Sequence, residues 1–208
     1  MNVKILSRSL APTLLALGLS IMATPTSATV VVYDFDGVAF ADSMSLTTLS
    51  PGLSFSHATV LKAGISLNDA DFPPRSGDGV VFDDGGAISI SFATPVFSVG
   101  GYFTHVTGLS FSAFDSGNQL LGTVSSAQLD NTVSSGGPPN EFLSFADAGG
   151  TIARILISGD VGGASFVMDD LTVDNGNTVP EPQTLLLALA LLGVGCLPRG
   201  WMRRRSAV

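Results

Sequence analysis

Short runs of alternating apolar and polar residues fill the middle of this 208-residue chain. The clearest run places Ile88, Ile90 and Phe92 on one face of a strand and serines on the other. Clusters of Gly, Pro, Asn, Asp and Ser separate the runs at the spacing typical of sandwiches, and no run has the period of an amphipathic helix. The pattern predicts an all-β fold, a single antiparallel β-sandwich of the jelly-roll type with about eight to ten strands. Further strands are predicted over residues 30–35, 55–61, 96–103, 109–114, 119–124, 141–145, 152–157 and 166–173.

Turn-forming residues predict where these strands end. The segment 115–118, Asp-Ser-Gly-Asn, predicts a hairpin turn between two strands, and Thr94-Pro95 is expected to break the chain. Residues 68–79 and 130–140 are rich in Pro, Gly and polar side chains and are predicted to be long loops. Such loops at the ends of a sandwich often carry binding residues, although many are only mobile. Residues 174–178 are expected to form a polar spacer without internal structure.

The first residues of the chain have the organisation of a secretory signal peptide. Lys4 and Arg8 form a basic start, an apolar run extends over 10–23, and Thr26-Ser27-Ala28 supplies small residues for signal peptidase. The apolar run is shorter than the roughly 20 residues that cross a bilayer, which disfavours a permanent membrane helix. We therefore expect signal peptidase to remove residues 1–28.

The last residues have a different, three-part organisation. Val179, Pro180, Glu181 and Pro182 precede an apolar stretch, and Arg203, Arg204 and Arg205 follow it. Prolines favour an extended, accessible backbone, the apolar stretch predicts a membrane helix, and arginines remain in the cytoplasm by the positive-inside rule. Pro198 and Arg199 interrupt the stretch early, but Arg199 can reach the headgroups while Trp201 lies in the interface.

This tail closely resembles the PEP-CTERM sorting signal, also catalogued as the C-terminal domain of ice-binding proteins. The resemblance covers about the last thirty residues. It implies recognition by the membrane peptidase exosortase, followed by association with the cell surface, the outer envelope or an exopolysaccharide and biofilm matrix. The resulting organisation is a signal peptide (1–28), an extracellular sandwich (29–175), a linker with the sorting motif (176–183), a transmembrane helix (184–202) and a basic cytoplasmic tail (203–208).

Charge and cysteine content narrow the function of the middle domain. Residues 29–178 contain sixteen acidic residues against Lys62, Arg75 and Arg154, a formal balance of −13. Such a domain is an implausible partner for nucleic acid. The single cysteine, Cys196, falls in the predicted membrane helix, so the domain has no disulfide framework. Many carboxylates in an extracellular setting make calcium the natural metal candidate.

The first and last predicted strands carry the carboxylates of a candidate calcium site. Asp34 and Asp36 flank a phenylalanine in the first strand, and Asp169 and Asp170 precede a leucine in the last. This pattern resembles galactose-binding-like carbohydrate-binding modules, in which the terminal strands commonly lie side by side. The resemblance implies a structural calcium ion held by Asp36 and by Asp169 or Asp170, with Asp34 as a weaker candidate.

No catalytic residues are predicted. His57 and His105 have no partners at zinc-ligand spacing, and the chain has no Gly-x-Ser-x-Gly motif. Nor is there a visible ladder of Thr or Ser of the kind that an ice-binding face would require. The favoured interpretation is a non-enzymatic structural or glycan-binding protein of the cell surface. A secreted hydrolase of polysaccharide or peptide with the same tail, and a permanently anchored single-span protein, remain alternatives.

Overall fold

A computed structural model of the chain describes residues 27–49 and 52–179. These residues form twelve strands and contain no helix. The strands are β1 (Ser27–Tyr33), β2 (Met44–Ser45), β3 (Leu53–Ser56), β4 (Ala58–Lys62), β5 (Gly79–Asp83), β6 (Ile88–Val96), β7 (Ser98–His105), β8 (Ser110–Phe114), β9 (Leu120–Ser125), β10 (Glu141–Ala146), β11 (Ile152–Ser158) and β12 (Phe166–Val179).

The strands form two sheets packed face to face. The seven-stranded sheet has the order β10-β7-β12-β5-β4-β2, and β1 also pairs with β12. The five-stranded sheet has the order β3-β6-β11-β8-β9. All pairings between named strands are antiparallel. The prediction of an all-β antiparallel sandwich is therefore confirmed, and so is the expectation that the first and last strands lie side by side.

Alternate side chains of both sheets form one hydrophobic core. In β6, Ile88 and Ile90 are fully buried and Phe92 nearly so, as the alternation predicted. The ring of Phe103 in β7 packs against Phe111 and Phe166, with centroids 6.1 and 6.0 Å away. Each fully buried side chain of this kind stabilises the fold by roughly 1.5–3 kcal/mol.

The predicted hairpin at 115–118 is confirmed. β8 and β9 pair across it, and Asn118 has a φ of 62°. The Asp115 carboxylate accepts hydrogen bonds from the amides of Gly117 and Gln119. Such local bonds are the reason that Asp is favoured in turns.

Four expectations about strand limits are wrong. The first strand ends at Tyr33, so Asp34 and Asp36 follow it, and the φ of 57° at Phe35 breaks the predicted alternation. β6 continues through Pro95 to Val96, because its pairing with β11 contains an irregularity at which a missing N–H is tolerated. The predicted strand 55–61 is two strands in different sheets, since the chain turns at His57, whose φ is 55°. β12 runs through the expected spacer, where Thr178 pairs with Ala28 and Val179 with Ser27.

Both predicted sorting signals lie almost entirely outside the described residues. Val179 ends β12, while Pro180, Glu181, Pro182, the apolar stretch 184–202 and the arginines 203–205 are beyond it. At the other end, only the last two residues of the predicted signal peptide, Ser27 and Ala28, are described. Across residues 27–49 and 52–179, no helix has the length and apolar character needed to span a membrane.

Serine and threonine form two groups of cross-strand pairs on the outer face of the five-stranded sheet, one on each side of β11. Cross-strand pairs join β3 to β6 and β8 to β9, and the hydroxyls of Ser112 and Thr123 are 2.8 Å apart. The pairs do not join into a continuous ladder across the sheet, because β11 between them carries Arg154 and Leu156 on the same face. The five strands contain no Asp or Glu. The registered pairs are Ser54 with Ser91, Ser56 with Ser89, Ser110 with Ser125 and Ser112 with Thr123.

Candidate functional site

Two aromatic rings lie next to each other on the outer face of the seven-stranded sheet. Tyr102 in β7 is paired with Phe142 in the edge strand β10. Their neighbours Phe103 and Leu143 point into the core, so alternation places Tyr102 and Phe142 outside. The ring centroids are 4.9 Å apart and the ring planes are inclined by 50°. Phe142 is 48% exposed, which is unusual for a large apolar side chain in a sheet.

A glycine lets the Phe142 ring lie down on the sheet. Gly100 is in β7, two residues before Tyr102, and is paired with Ser144 of β10. A Cβ at position 100 would lie 2.7 Å from Cζ of Phe142 and 2.8 Å from Cβ of Ser144. The missing side chain therefore makes room for the ring, which covers the glycine backbone.

Arg75 extends this surface. Its guanidinium carbon lies 4.6 Å from the centroid of the Tyr102 ring, within the range of a cation–π interaction. Arg75 is exposed, whereas Lys62 is buried and Arg154 stacks on Phe114 on the opposite sheet. Arg75 is therefore the cation available on this face of the described residues. We call Arg75, Tyr102 and Phe142 the platform.

The two long loops predicted from the sequence meet beside the platform. The Asp71 carboxylate accepts a hydrogen bond from the Ser134 amide at 2.8 Å, and the Asp71 carbonyl accepts one from the Val133 amide at 3.2 Å. Asn140 donates from Nδ2 to the Pro73 carbonyl at 3.2 Å and from its amide to Thr104 Oγ1 at 3.0 Å. The loops thus support each other and join the sheet next to Tyr102.

Asp169 connects the loop that carries Arg75 to the sheet. It lies opposite Tyr102 in the register and is 1% exposed. Its Oδ2 accepts hydrogen bonds from the amides of Arg75 at 2.7 Å and Ser76 at 3.0 Å. Burial raises the pKa of Asp169 to about 7, although the N–H donors of Ser76, Asp170 and Arg75 oppose the shift.

Three of the four acids predicted to bind calcium, Asp36, Asp169 and Asp170, contact the loop segment 75–79. Oδ1 of Asp36 accepts the amides of Asp78 and Gly79, both at 2.8 Å, and Asp170 accepts the Ser76 hydroxyl at 2.8 Å. Asp34 instead accepts the amide of Asp36 at 3.2 Å. Within the described part of the chain, no group of three or more His, Cys, Asp or Glu side chains is arranged to hold a metal ion. The calcium site stays a prediction.

A buried ammonium lies in the same region. Lys62 is 5% exposed, and its Nζ donates to the Phe35 carbonyl at 3.0 Å and to Asp78 Oδ1 at 2.8 Å. The hydrogen bond from Lys62 holds the pKa of Asp78 below its usual value. Lys62 therefore supplies positive charge among the carboxylates at the end of β1.

Two further buried polar groups fix loops on the sandwich. Asp83, which is fully buried, accepts the amides of Ser165 and Phe166 at 2.8 and 3.0 Å. Burial raises the pKa of Asp83 against these hydrogen bonds. His105 is also fully buried, and its Nε2 lies 3.3 Å from Glu141 Oε2. Asp83 thereby holds the start of β12 against β5, and His105 joins β7 to β10. Both groups therefore have structural roles.

The platform was not predicted from the sequence. The absence of Trp between residues 29 and 178, and the presence of only Tyr33 and Tyr102, argued against a sugar-binding surface, and phenylalanines were expected mainly in the core. The signal that could have revealed it is the phase of β10. Within the segment Glu141–Ala146, Leu143 and Phe145 share one face of the strand and Phe142 lies on the other. If Leu143 and Phe145 face the core, Phe142 must face outward.

Comparisons with known proteins give similarity in structure alone. No protein-family model matches the chain, and no curated protein matches it. The K2 cleaved adhesin domain of Lys-gingipain has 11% identity and a TM-score of 0.45, covering 70% of this chain and 99% of that chain. A family 29 carbohydrate-binding module complexed with mannohexaose has 14% identity and a TM-score of 0.39, covering 72% and 94%. TmCBM61 in complex with beta-1,4-galactotriose has 13% identity and a TM-score of 0.38, covering 64% and 99%.

Proposed function

We propose that this chain is an exported, surface-sorted protein whose sandwich binds glycan through the platform and catalyses no reaction. Signal peptidase and exosortase would process its two ends, and the membrane would hold it through the C-terminal helix until exosortase cleaves. The protein would then act at the cell surface or in the exopolysaccharide matrix. The observation that carries the glycan-binding role is the exposed Phe142 ring, which lies against the half-buried Tyr102 ring beside Arg75.

The chemistry of the platform fits a sugar. Pyranose rings present C–H groups on their faces and hydroxyls at their edges. The exposed Phe142 ring can bury the C–H groups, and the Arg75 guanidinium, which has five N–H donors, can donate hydrogen bonds to the hydroxyls. The two rings are only 4.9 Å apart and inclined by 50°, so they offer contact to about one sugar unit of a free chain. A flat crystalline surface would require coplanar rings.

The charge of the domain favours an uncharged ligand. Residues 29–178 have a formal balance of −13, and Asp36, Asp78 and Asp170 lie at the loop that carries Arg75. An anionic polysaccharide would be repelled by this field over about 8 Å at physiological ionic strength. We therefore propose soluble chains of neutral hexoses as the ligand class.

The order of features at the two ends supports export and sorting. A basic, apolar and small-residue start precedes the domain, and Val-Pro-Glu-Pro, an apolar stretch and three arginines follow it. Each part alone is common in proteins, whereas the complete ordered set has the organisation of a sorting signal.

Replacing Phe142 tests the proposal. We expect Phe142→Ala to weaken binding of cellohexaose or mannohexaose by about tenfold or more, since losing about 1.4 kcal/mol of apolar contact is a tenfold change in affinity. Isothermal titration calorimetry of the exported protein measures this change.

The matched control is Phe114→Ala, which removes a ring that also lies under an arginine, at 4.0 Å, but on the opposite sheet. Its affinity for both oligosaccharides should equal that of the wild type. Equal losses in the two variants, or no binding of either oligosaccharide by the wild type, would contradict the platform as a site for neutral glycan. Preferential binding of polygalacturonate would contradict the ligand class.

A further inference from the structure

The last strand carries a strained bulge directly beside the platform. The register of β12 with β7 shifts between Asp169 and Thr172, and Asp170 has a φ of 48°. A side chain in this left-handed region is costly, and such residues persist mainly where the surrounding structure or a function requires them. Bulges commonly redirect a side chain next to a binding site. The bulge therefore points to Asp169 and Asp170 as residues with a specific task.

Both acids of the bulge contact the loop that carries Arg75. Asp169 accepts the amides of Arg75 and Ser76 through Oδ2, and its Oδ1 accepts the Asp170 amide at 2.7 Å. Asp170 accepts the Ser76 hydroxyl. Hydrogen bonds from N–H groups to a carboxylate are stronger than those between neutral groups. Asp169 thus fixes the backbone from which the Arg75 side chain starts.

We propose that Asp169 is the positioning residue of the platform, holding the Arg75 backbone so that the guanidinium lies on the Tyr102 ring and meets the glycan already ordered. This inference rests on the proposed glycan-binding function. An arginine that is ordered before binding loses less conformational freedom when the ligand arrives, which raises affinity. Asp169 acts through Arg75 and does not itself touch the sugar.

The proposal predicts a defined pattern among three variants of the exported protein. Arg75→Ala and Asp169→Asn should each lower the affinity for cellohexaose or mannohexaose about fivefold to tenfold, because either change removes the ordered guanidinium. The double variant should lose no more than either single variant, since both act on one interaction.

Asp83→Asn is the matched control. Asp83 is likewise a fully buried carboxylate that accepts two backbone amides, but it holds the start of β12 at Ser165 and Phe166. Its substitution should lower the melting temperature and leave affinity within about twofold of the wild type. If Asp169→Asn weakens binding only because the domain is less stable, Asp83→Asn should weaken binding by the same factor. Equal losses of affinity in these two variants would overturn the positioning role.

A measurement without ligand provides the second test. The Arg75 guanidinium lies over the Tyr102 ring, so the Arg75 side-chain protons should show a ring-current shift in the NMR spectrum of the labelled protein. This shift should disappear in Asp169→Asn and in Tyr102→Ala and remain in Asp83→Asn. A retained shift in Asp169→Asn would overturn the proposal.

The two tests separate the inference from the function on which it rests. If the wild type binds neither oligosaccharide, the proposed function fails, and the ring-current shift still decides whether Asp169 positions Arg75. If the wild type binds but Asp169→Asn binds equally well, the function stands and the positioning role is overturned. Additive losses in the double variant would also overturn it.

Discussion

Buried carboxylates hold the loops of this domain by accepting backbone N–H groups. Asp83 fixes Ser165 and Phe166, and Asp169 fixes Arg75 and Ser76. A carboxylate can accept several such hydrogen bonds at once, so one side chain orders a whole turn. Asp83 and Asp169 therefore each have a structural role.

The pKa values of these two acids predict how stability depends on pH. Burial raises the pKa of both from 3.8, and that of Asp169 reaches about 7. A carboxyl with a raised pKa binds its proton more tightly in the folded chain. Its contribution to stability is therefore complete below pH 3.8 and is lost as pH rises through the folded-state pKa.

We expect the melting temperature to fall as pH rises from about 5 to about 8, and to fall less steeply in Asp83→Asn. Thermal unfolding followed by circular dichroism in the presence of a chelator measures this dependence. A melting temperature that rises with pH over this range would contradict the assignment. The carboxyls with lowered pKa, such as those of Asp42 and Asp147, act in the opposite direction at lower pH.

At the scale of elements, the platform depends on the packing of β7 against β10. Gly100→Ala would place a Cβ against Phe142 and Ser144. We expect a loss of about 1–3 kcal/mol in the free energy of unfolding, because extra volume forces neighbours to move. Glycan affinity should also fall, since the displaced ring is part of the platform. Chemical denaturation and calorimetry measure the two effects.

Gly162→Ala is the control for this change. A Cβ at position 162 would meet nothing within 4 Å, and the residue does not require a positive φ. Its stability and affinity should match those of the wild type. A Gly100→Ala protein as stable and as tight-binding as the wild type would show that the ring does not depend on the glycine.

Alternation within a strand was readable from the sequence, whereas pairing between strands was not. Ile88, Ile90 and Phe92 and the hairpin at 115–118 follow local rules, and both are as predicted. The cross-strand hydroxyl pairs and the pair of Tyr102 and Phe142 need the register of strands far apart in sequence, which no local pattern specifies. The turn at His57 was hidden because a histidine with positive φ has no reliable sequence pattern.

At the scale of the whole molecule, both chain ends leave the sandwich at one place. Ser27 pairs with Val179, so the predicted signal peptide and the predicted membrane anchor attach side by side. Asp169, beside Tyr102 in the register, precedes Val179 by ten residues of β12, which corresponds to roughly 30 Å of extended strand. The platform would therefore be separated by about this length of strand from the point at which an anchor follows Val179.

The described pairing also accommodates processing at both ends. The register of β1 with β12 shifts between Ala28 and Val30, so cleavage after Ala28 removes only the pairs beyond this irregularity. Cleavage near Pro182 would leave β12 complete, because the strand ends at Val179. The sandwich should therefore keep its fold after both cuts.

A glycan-binding role at the cell surface depends on export and sorting. The mass of the mature protein tests these two steps most directly. Mass spectrometry would compare cells with and without exosortase, for the wild type and a Pro180→Ala/Glu181→Ala variant. We expect a species that begins near Thr29 and ends near Pro182, and only with the peptidase and an intact motif. A tail that remains intact in every case would contradict exosortase processing and leave a permanently anchored sandwich.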